Sequence, residues 1–253
     1  MSARPQEDTQ AAGSLVRIDT QGSCRTVWLN RPEKMNALSA GLVEALIDAV
    51  DAAHADGMQA LVFRGEGRNL SAGFDFGDVD TQSEGDLVLR FVRIETLLQK
   101  IAASPCLTVG LAHGRNFGAG VDLFAACKLR CATPDSSFRM PGLKFGLVLG
   151  TRRFGAIVGR EKAREILEQA RAFPAEEARN IGFVHRLADI AQWPEVTEEA
   201  ARTAGALDDA TRARLYLALD SLQSDADMAD LVRSAAEPGL KARVAAYLKA
   251  ARG

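Results

Sequence analysis

Over the first three quarters of the chain, apolar runs typical of strands alternate with apolar residues at helical spacing. Two short β-rich runs flank Gln21-Gly22 and predict a hairpin, and later apolar runs predict buried strands. The predicted strands cover residues 15–19, 25–29, 60–64, 107–111 and 129–132. Between them, apolar residues recur three and four positions apart, which indicates amphipathic helices. Strands that alternate with helices are typical of an α/β fold.

Three helices are predicted between these strands. The first begins at Ser39, a residue type that caps helix N-termini, and ends near Asp56-Gly57. The third begins at Gly118 and leads into the strand at 129–132. The apolar face of the second consists of Leu87, Phe91, Ile94, Leu98 and Ile101.

After Ala188 the pattern is helical, with helices predicted at residues 193–206, 209–222 and 240–250. Such a tail has little core of its own, so we expect it to pack on the preceding domain or on another subunit. The expected division of the chain is a frayed N-terminus, an α/β core and a helical C-terminal region. Their bounds are residues 1–14, 15–190 and 191–253.

Composition and net charge exclude several classes of function. The chain has 253 residues, 47% of them hydrophobic and 25% charged, which is ordinary for a globular protein. A net charge of −2 gives no global positive field, so no nucleic-acid partner is expected. No apolar run of about 18 residues suggests a membrane span, and residues 1–14 lack the apolar core of a signal peptide. A cytoplasmic location is therefore expected.

The four cysteines are scattered along the chain. Cys127 and Cys131 form one C-x3-C, but no second pair accompanies them. A zinc site needs more ligands than this, so no metal is expected, and the cysteines are interpreted as reduced, buried thiols.

Two glycine-bearing turns follow predicted strands, one at residues 65–76 and one at residues 114–122. Glycine lets a ligand approach the backbone closely. The second turn leads into a helix, whose free N-terminal amides favour developing negative charge. Two such turns could direct two backbone N–H groups at one carbonyl oxygen and form an oxyanion hole.

Four motifs, in this order and spacing, resemble the crotonase (enoyl-CoA hydratase/isomerase) superfamily. The motifs are Leu29-Asn30-Arg31-Pro32 with Asn36-Ala37-Leu38, Ala72-Gly73-Phe74-Asp75-Phe76, Gly118-Ala119-Gly120-Val121-Asp122-Leu123, and Gly150-Thr151-Arg152-Arg153 with Val158-Gly159. The resemblance covers the chain from about Leu15 to its end. It implies a spiral core of ββα turns, a C-terminal helical trimerisation region and assembly as a homotrimer or a dimer of trimers.

The resemblance also implies an acyl-CoA or enoyl-CoA thioester as ligand, with coenzyme A as part of the substrate and no separate cofactor. At matching positions, the backbone N–H groups of Phe74 and Ala119 would hold the thioester oxygen, and Asp122 would transfer protons. The residues implied along the adenine and pantetheine path are Lys34, Ala37, Ala72 and Phe76, with Lys34 or Lys249 as a phosphate contact.

Departures from the family pattern bear on the reaction. Hydratases of the family use two glutamates; Asp122 stands at the first position and Gly142 at the second. The adjacent segment, residues 147–150, is about three residues shorter than the family's. We therefore rank double-bond isomerisation, or another one-carboxylate reaction such as decarboxylation, above hydration. Four arginines near the implied pocket could bind an acidic group of the substrate or cover the surface, and the surface position is favoured: Arg115, Arg139, Arg152 and Arg153.

Two other functions stay open from the sequence. A non-catalytic binder of CoA thioesters could keep the oxyanion hole and lose the second acid, as Gly142 suggests. The spacing Gly114-x-x-x-Gly118-x-Gly120 also fits the glycine pattern of short-chain NAD(P) dehydrogenases. That pattern belongs to the first strand of such a fold, whereas two β/α cycles precede it here, and no Tyr-x-x-x-Lys follows.

Overall fold

The computed structural model describes residues 14–219 and 223–252, which form strands in two sheets together with surrounding helices. The strands are β1 (Val16–Gln21), β2 (Cys24–Leu29), β3 (Ala60–Gly65), β4 (Leu107–Ala112), β5 (Arg115–Phe117), β6 (Leu129–Ala132), β7 (Ser137–Arg139), β8 (Ala172–Pro174) and β9 (Arg186–Leu187). The helices are α1 (Ala40–Ala55), α2 (Glu84–Ala102), α3 (Ala119–Ala126), α4 (Thr151–Val158), α5 (Arg160–Gln169), α6 (Ala175–Asn180), α7 (Trp193–Ala204), α8 (Asp209–Leu219), α9 (Ser224–Ala235) and α10 (Leu240–Arg252).

The larger sheet has the order β1-β2-β3-β4-β6-β9, and the smaller sheet has the order β5-β7-β8. β1 and β2 pair antiparallel around Gly22, whose φ of +58° is a conformation that glycine adopts without strain. The remaining pairs of the larger sheet are parallel, with helices in the connections. The predicted hairpin and the predicted α/β class are confirmed.

The larger sheet is buried on both faces, which side-chain alternation along β3 shows directly. Leu61 and Phe63 belong to the main hydrophobic core, which also contains the buried faces of α1, α2 and α3. Ala60 and Val62 point to the opposite face and pack in a second core with Trp193 of α7. The first helix of the C-terminal region thus covers one face of the sheet.

The helices predicted between the strands are confirmed, including two of their starts. α1 begins after Ser39, whose hydroxyl accepts a hydrogen bond from the amide of Leu42 at 3.2 Å. α3 begins after Gly118. The predicted apolar face of α2 is buried, but the same face also buries Arg90 and Glu95.

The C-terminal region is helical, as predicted. α7 ends at Ala204, two residues before the predicted end, and the predicted helix 209–222 is observed to Leu219, with residues 220–222 outside the described part. α9 was not predicted because it buries only Leu231 and Ala235, which is too sparse a stripe to stand out. α4, α5 and α6 were not predicted either, since these short helices span only two or three turns and Gly159 separates the first two.

α9 packs against α2, and α10 packs against α2 and the 3-10 turn Gly142–Phe145. This agrees with the expectation that the tail packs on the preceding domain. The predicted frayed segment, residues 1–14, lies outside the described part except for Ser14, and the division at residue 190 stays a prediction. Among the described helices, none combines the length and apolar character needed to cross a membrane.

Candidate active site

Two turns meet beyond the carboxyl ends of β3 and β4, which are neighbouring parallel strands. Gly73, in the first turn, has a φ of +81°, and a Cβ there would overlap the carbonyl oxygen of Phe117 and stand 3.1 Å from the amide nitrogen of Ala119. A Cβ on Gly120 would stand 2.6 Å from the carbonyl oxygen of Ser71. Only glycine allows this approach of the two backbones. The structure thus brings together the two turns that the sequence singled out.

A buried asparagine ties the two turns to each other. The side-chain oxygen of Asn116 accepts hydrogen bonds from the amides of Leu70 and Ser71 at 3.1 and 3.3 Å. Its amide group donates to the carbonyl oxygens of His113 and Gly114, each at 3.2 Å. Because both the donor and the acceptor ends of this side chain are engaged, the relative placement of the turns is fixed.

The backbone N–H groups of Phe74 and Ala119 donate no hydrogen bond to any described residue. On either side of Phe74, the amide of Leu38 donates to the carbonyl oxygen of Gly73 at 2.7 Å, and the amide of Asp75 donates to Leu38 at 3.3 Å. Ala119 is the first residue of α3, so the helix offers its N–H no partner. Both residues line one cavity, where two free amides can stabilise an oxyanion.

This cavity has a volume of about 370 Å³ and is largely apolar. Tyr247, Leu248 and Ala251 of α10 form part of its wall, together with Phe145. The predicted site residues that line it are Lys34, Ala37, Ala72, Phe74, Phe76, Ala119 and Asp122. Lys249 is exposed on α10 and is not among the lining residues. From α10 the family resemblance implied only Lys249, and the contribution of Tyr247, Leu248 and Ala251 was not predicted.

Asp122 lies one turn after Ala119 in α3, and its side chain is buried, with 3% exposure. Its Oδ1 atom has no hydrogen-bond partner in the described part of the chain and lies against the backbone of Gly150. Burial raises the pKa of this carboxyl group well above its usual value; Arg153 opposes the rise and Glu95 adds to it. Asp122 can therefore hold a proton at pH values where an exposed aspartate is ionised.

The residue that the family resemblance places at the second acid position, Gly142, carries no side chain. Gly142 lines the cavity and begins the 3-10 turn Gly142–Phe145. A Cβ at this position would stand 3.2 Å from the carbonyl oxygen of Leu147. Among the described residues that line the cavity, Asp122 is the only one with a carboxyl side chain.

The four arginines near the pocket differ in their exposure to solvent. Arg115 and Arg152 are exposed, and Arg139 is half-buried. For Arg153 the expected surface position is wrong, because its side chain is 7% exposed and its Nη2 donates to Glu95 Oε1 at 3.2 Å. A guanidinium can be buried here because α2 supplies a buried carboxyl group as its partner.

Two charged residues of α2 that lie near the site, Arg90 and Glu95, were not predicted from the sequence. The guanidinium of Arg90 donates to the carbonyl oxygen of Asp75 at 2.8 Å, and its Cζ lies 4.1 Å from the ring centroid of Phe74, so it holds the first turn. Glu95 pairs with Arg153. Their spacing could have indicated that they are buried, because both fall within the apolar stripe of Leu87, Phe91, Ile94 and Leu98.

The four cysteines are buried and free. Burial raises the pKa of Cys127 to about 12 and the pKa of Cys131 to about 11, so both thiols stay protonated at neutral pH. Within the described part of the chain, no group of three or more His, Cys, Asp or Glu residues is placed to hold a metal ion.

Two sheets followed by C-terminal helices, with glycine turns meeting at the ends of parallel strands, make up the crotonase fold. The chain belongs to the enoyl-CoA hydratase/isomerase family, whose model matches residues 19–249. It is therefore an enzyme of the family that processes acyl-CoA thioesters.

Similar proteins agree with this assignment. The crystal structure of an enoyl-CoA hydratase/isomerase family protein from Bordetella parapertussis is 63% identical, with a TM-score of 0.92 and coverage of 92% of this chain and 98% of that chain. A Mycobacterium tuberculosis relative named "Probable enoyl-CoA hydratase echA6" is 36% identical over 194 residues, or 75% of this chain and 77% of the relative. The ethylmalonyl-CoA decarboxylase of Pongo abelii is 29% identical over 195 residues, or 74% of this chain and 64% of the relative.

Proposed function

We propose that this enzyme carries out a one-carboxylate reaction on a CoA thioester, with double-bond isomerisation as the leading case. The observation that carries the proposal is the pairing of one buried acid, Asp122, with two free amides in a single apolar cavity. The amides of Phe74 and Ala119 would hold the thioester oxygen, and Asp122 would move the proton.

In this reaction the ionised carboxyl group of Asp122 removes a proton from C2 of a 3-enoyl thioester. The electron pair of the broken C–H bond enters the conjugated system, and the negative charge on the thioester oxygen is stabilised by the amides of Phe74 and Ala119. Protonated Asp122 then returns the proton to C4, and the double bond is left between C2 and C3. The step is redox-neutral and needs no co-reactant.

The buried environment of Asp122 suits both proton transfers of this reaction, the removal from C2 and the return to C4. A carboxyl group whose pKa is raised by burial is a stronger base when ionised and still a competent acid near neutral pH. Hydration would also require a group to activate water, and Gly142 offers none at the family's second position.

Lys34, Ala37, Ala72 and Phe76 line the same cavity as the proposed reaction centre. We assign them to the path of the CoA moiety, with the exposed ammonium group of Lys34 as a phosphate contact. The position of Lys249 outside the cavity lining favours Lys34 over Lys249 for this contact.

The experiment is incubation with a panel of 2-enoyl-CoA, 3-enoyl-CoA and 2-carboxyacyl-CoA thioesters, with products followed by mass spectrometry. We expect 3-enoyl-CoA to become 2-enoyl-CoA, and we expect Asp122→Asn to abolish turnover while leaving ligand binding intact. Asp48→Asn removes an exposed carboxyl group on α1 and should leave the rate unchanged.

Other outcomes would redirect the assignment. Loss of CO2 from a 2-carboxyacyl thioester would make decarboxylation the one-carboxylate reaction, as the name of the Pongo abelii relative suggests. Efficient hydration of crotonyl-CoA that persists in Asp122→Asn would contradict the proposal. Binding without turnover across the panel would identify a non-catalytic thioester binder.

A further inference from the structure

A buried ion pair lies behind the carboxyl group of Asp122. Arg153 of α4 donates from Nη2 to Oε1 of Glu95 on α2 at 3.2 Å, and the side chains are 7% and 1% exposed. The side chain of Gln99 also donates to Oε1 of Glu95 at 3.0 Å and to the carbonyl oxygen of Ser224 at 2.8 Å. The pair is therefore held between α2, α4 and the start of α9.

The pair and Asp122 are joined through the first turn of α4. Oδ1 of Asp122 lies against Gly150, the residue that precedes α4, and Arg153 follows three residues later. Residues three positions apart lie on the same side of a helix. The N-terminus of α4 adds the partial positive charge of its free amides to that of Arg153.

Hydrogen bonding within this group is incomplete. The buried atoms without a partner in the described part of the chain include Oδ1 of Asp122, Oε2 of Glu95, and Nε and Nη1 of Arg153. A buried ion pair contributes little net stability even with full hydrogen bonding, so this arrangement has no evident structural advantage. Its effect on the nearby carboxyl group is electrostatic, because charges in a water-poor interior act strongly on one another.

We propose that Arg153 and Glu95 are positioning residues that set the protonation state of Asp122, with Arg153 favouring the carboxylate and Glu95 favouring the carboxylic acid. The inference rests on the proposed function, in which Asp122 moves the proton. Ionised Asp122 is needed for proton removal and neutral Asp122 for proton return, so a nearby pair of opposite charges keeps both forms accessible.

The charged groups around Asp122 come from several elements. α2 contributes Glu95, and α4 contributes Arg153. Asp227 of α9 acts on Glu95 and raises the pKa of that carboxyl group further. Lys34 and Tyr247 line the same cavity as Asp122. β4, which packs against α3, has no charged residue, and β5, which also packs against α3, carries only the exposed Arg115. Arg153 and Glu95 are the charged groups that act on Asp122, beside the larger effect of burial.

The test is direct titration of Asp122, by NMR of protein labelled with 13C at aspartate carboxyl groups, with Asp122→Asn identifying the resonance. Arg153→Met should move the midpoint to higher pH, and Glu95→Gln should move it to lower pH, each by about one pH unit, a tenfold change in proton affinity. A merely structural pair would not shift the midpoint in opposite directions when its members are removed singly. Arg153→Lys keeps the charge and should restore most of the wild-type midpoint.

A matched control is Glu44→Gln, which breaks the exposed pair between Glu44 of α1 and Arg93 of α2 and should leave the midpoint unchanged. Where one single variant fails to fold, the double variant Glu95→Gln/Arg153→Gln leaves no buried charge unpaired, and its midpoint should lie above that of Glu95→Gln or below that of Arg153→Met, whichever of the two folds. Shifts in the same direction, or no shift, would overturn the inference. The proposed function fails separately, if Asp122→Asn turns over a confirmed thioester at the wild-type rate.

Discussion

The carboxyl group of Asp122 lies so close to the backbone of Gly150 that a Cβ on Gly150 would overlap Oδ1 of Asp122. Gly150 also has a φ of +63°, a conformation that residues with a side chain rarely adopt. This glycine therefore serves two purposes, since it caps the N-terminus of α4 and leaves room for the acid of the proposed reaction.

Gly150→Ala should displace the Asp122 carboxyl group and lower kcat by about tenfold or more, since misplacement by 1 Å can cost about 100-fold. Gly57→Ala is the matched control, because Gly57 has a similar φ of +66° but no atom within 4 Å of the added methyl group. Gly57→Ala should lose about 1 kcal/mol of stability from backbone strain, and Gly150→Ala should lose more because its methyl group overlaps the buried Asp122. Only Gly150→Ala should lose turnover. Equal kcat values for the two variants would contradict the placement of Asp122.

Ala119→Pro removes one amide of the proposed oxyanion hole. Proline is tolerated at the first position of a helix, so α3 should persist. Steady-state kinetics on a confirmed thioester substrate should show a loss in kcat on the order of 10² to 10³, as for removal of one oxyanion donor. Ala40→Pro places the same substitution at the first position of α1, away from the cavity, and should retain activity. Unchanged turnover in a folded Ala119→Pro protein would refute this role of Ala119.

Asp122→Asn should stabilise the protein at neutral pH. The pKa of Asp122 is raised in the folded state, so its contribution to stability is complete below about pH 4, the unfolded value, and declines as pH rises through the folded pKa. The variant should gain about 1.4 kcal/mol for each pH unit by which burial raises the pKa of this carboxyl group. The gain should vanish near pH 3 when chemical denaturation is followed across pH.

Asp86→Asn should behave in the opposite sense. Hydrogen bonds from Ser83 lower the pKa of Asp86, so this carboxylate contributes stability above its unfolded pKa and loses it as pH falls. Its replacement should therefore destabilise the protein at neutral pH.

A pH-independent difference between Asp122→Asn and the wild type would show that burial does not raise the pKa of Asp122.

The trimerisation role of the C-terminal region stays a prediction from the family resemblance. In support, Leu217 and Leu219 of α8 are 79% and 76% exposed, which a monomer would leave in water. Native mass spectrometry should give three or six times 27.1 kDa. Leu217→Glu should weaken the assembly, whereas Leu89→Glu, at an exposed position on α2, should not. A wild-type monomer at micromolar concentration would contradict this prediction.

The sequence predicted the alternating strands and helices because β3 is a continuous apolar run and the buried face of α2 has a strong helical periodicity. It also predicted the two glycine turns. Glycine is required at Gly73 because the backbone there lies too close to the backbone at Phe117 and Ala119 for a side chain. α9 escaped prediction because it buries few residues.

The electrostatic partners of Asp122 could not be predicted. Arg153 and Glu95 are 58 residues apart in sequence, and a charged residue within an apolar stripe gives no indication of its partner. The contribution of Tyr247 to the cavity depends on how α10 folds back over the 3-10 turn Gly142–Phe145, which is a tertiary contact. Local pattern therefore indicated the two glycine turns, the family resemblance assigned Phe74, Ala119 and Asp122 to the proposed reaction centre, and long-range packing determined its surroundings.

The central claim is that a single acid, Asp122, carries a proton between two carbons of a thioester, and isotope transfer tests it most directly. A 3-enoyl-CoA deuterated at C2 would be converted in ordinary water under single-turnover conditions, and the product analysed by mass spectrometry and NMR. Because Asp122 is only 3% exposed, we predict 2-enoyl-CoA with part of the deuterium at C4, and no product with Asp122→Asn. Accumulation of a 3-hydroxyacyl product, or 2-enoyl-CoA without deuterium at C4, would contradict the account.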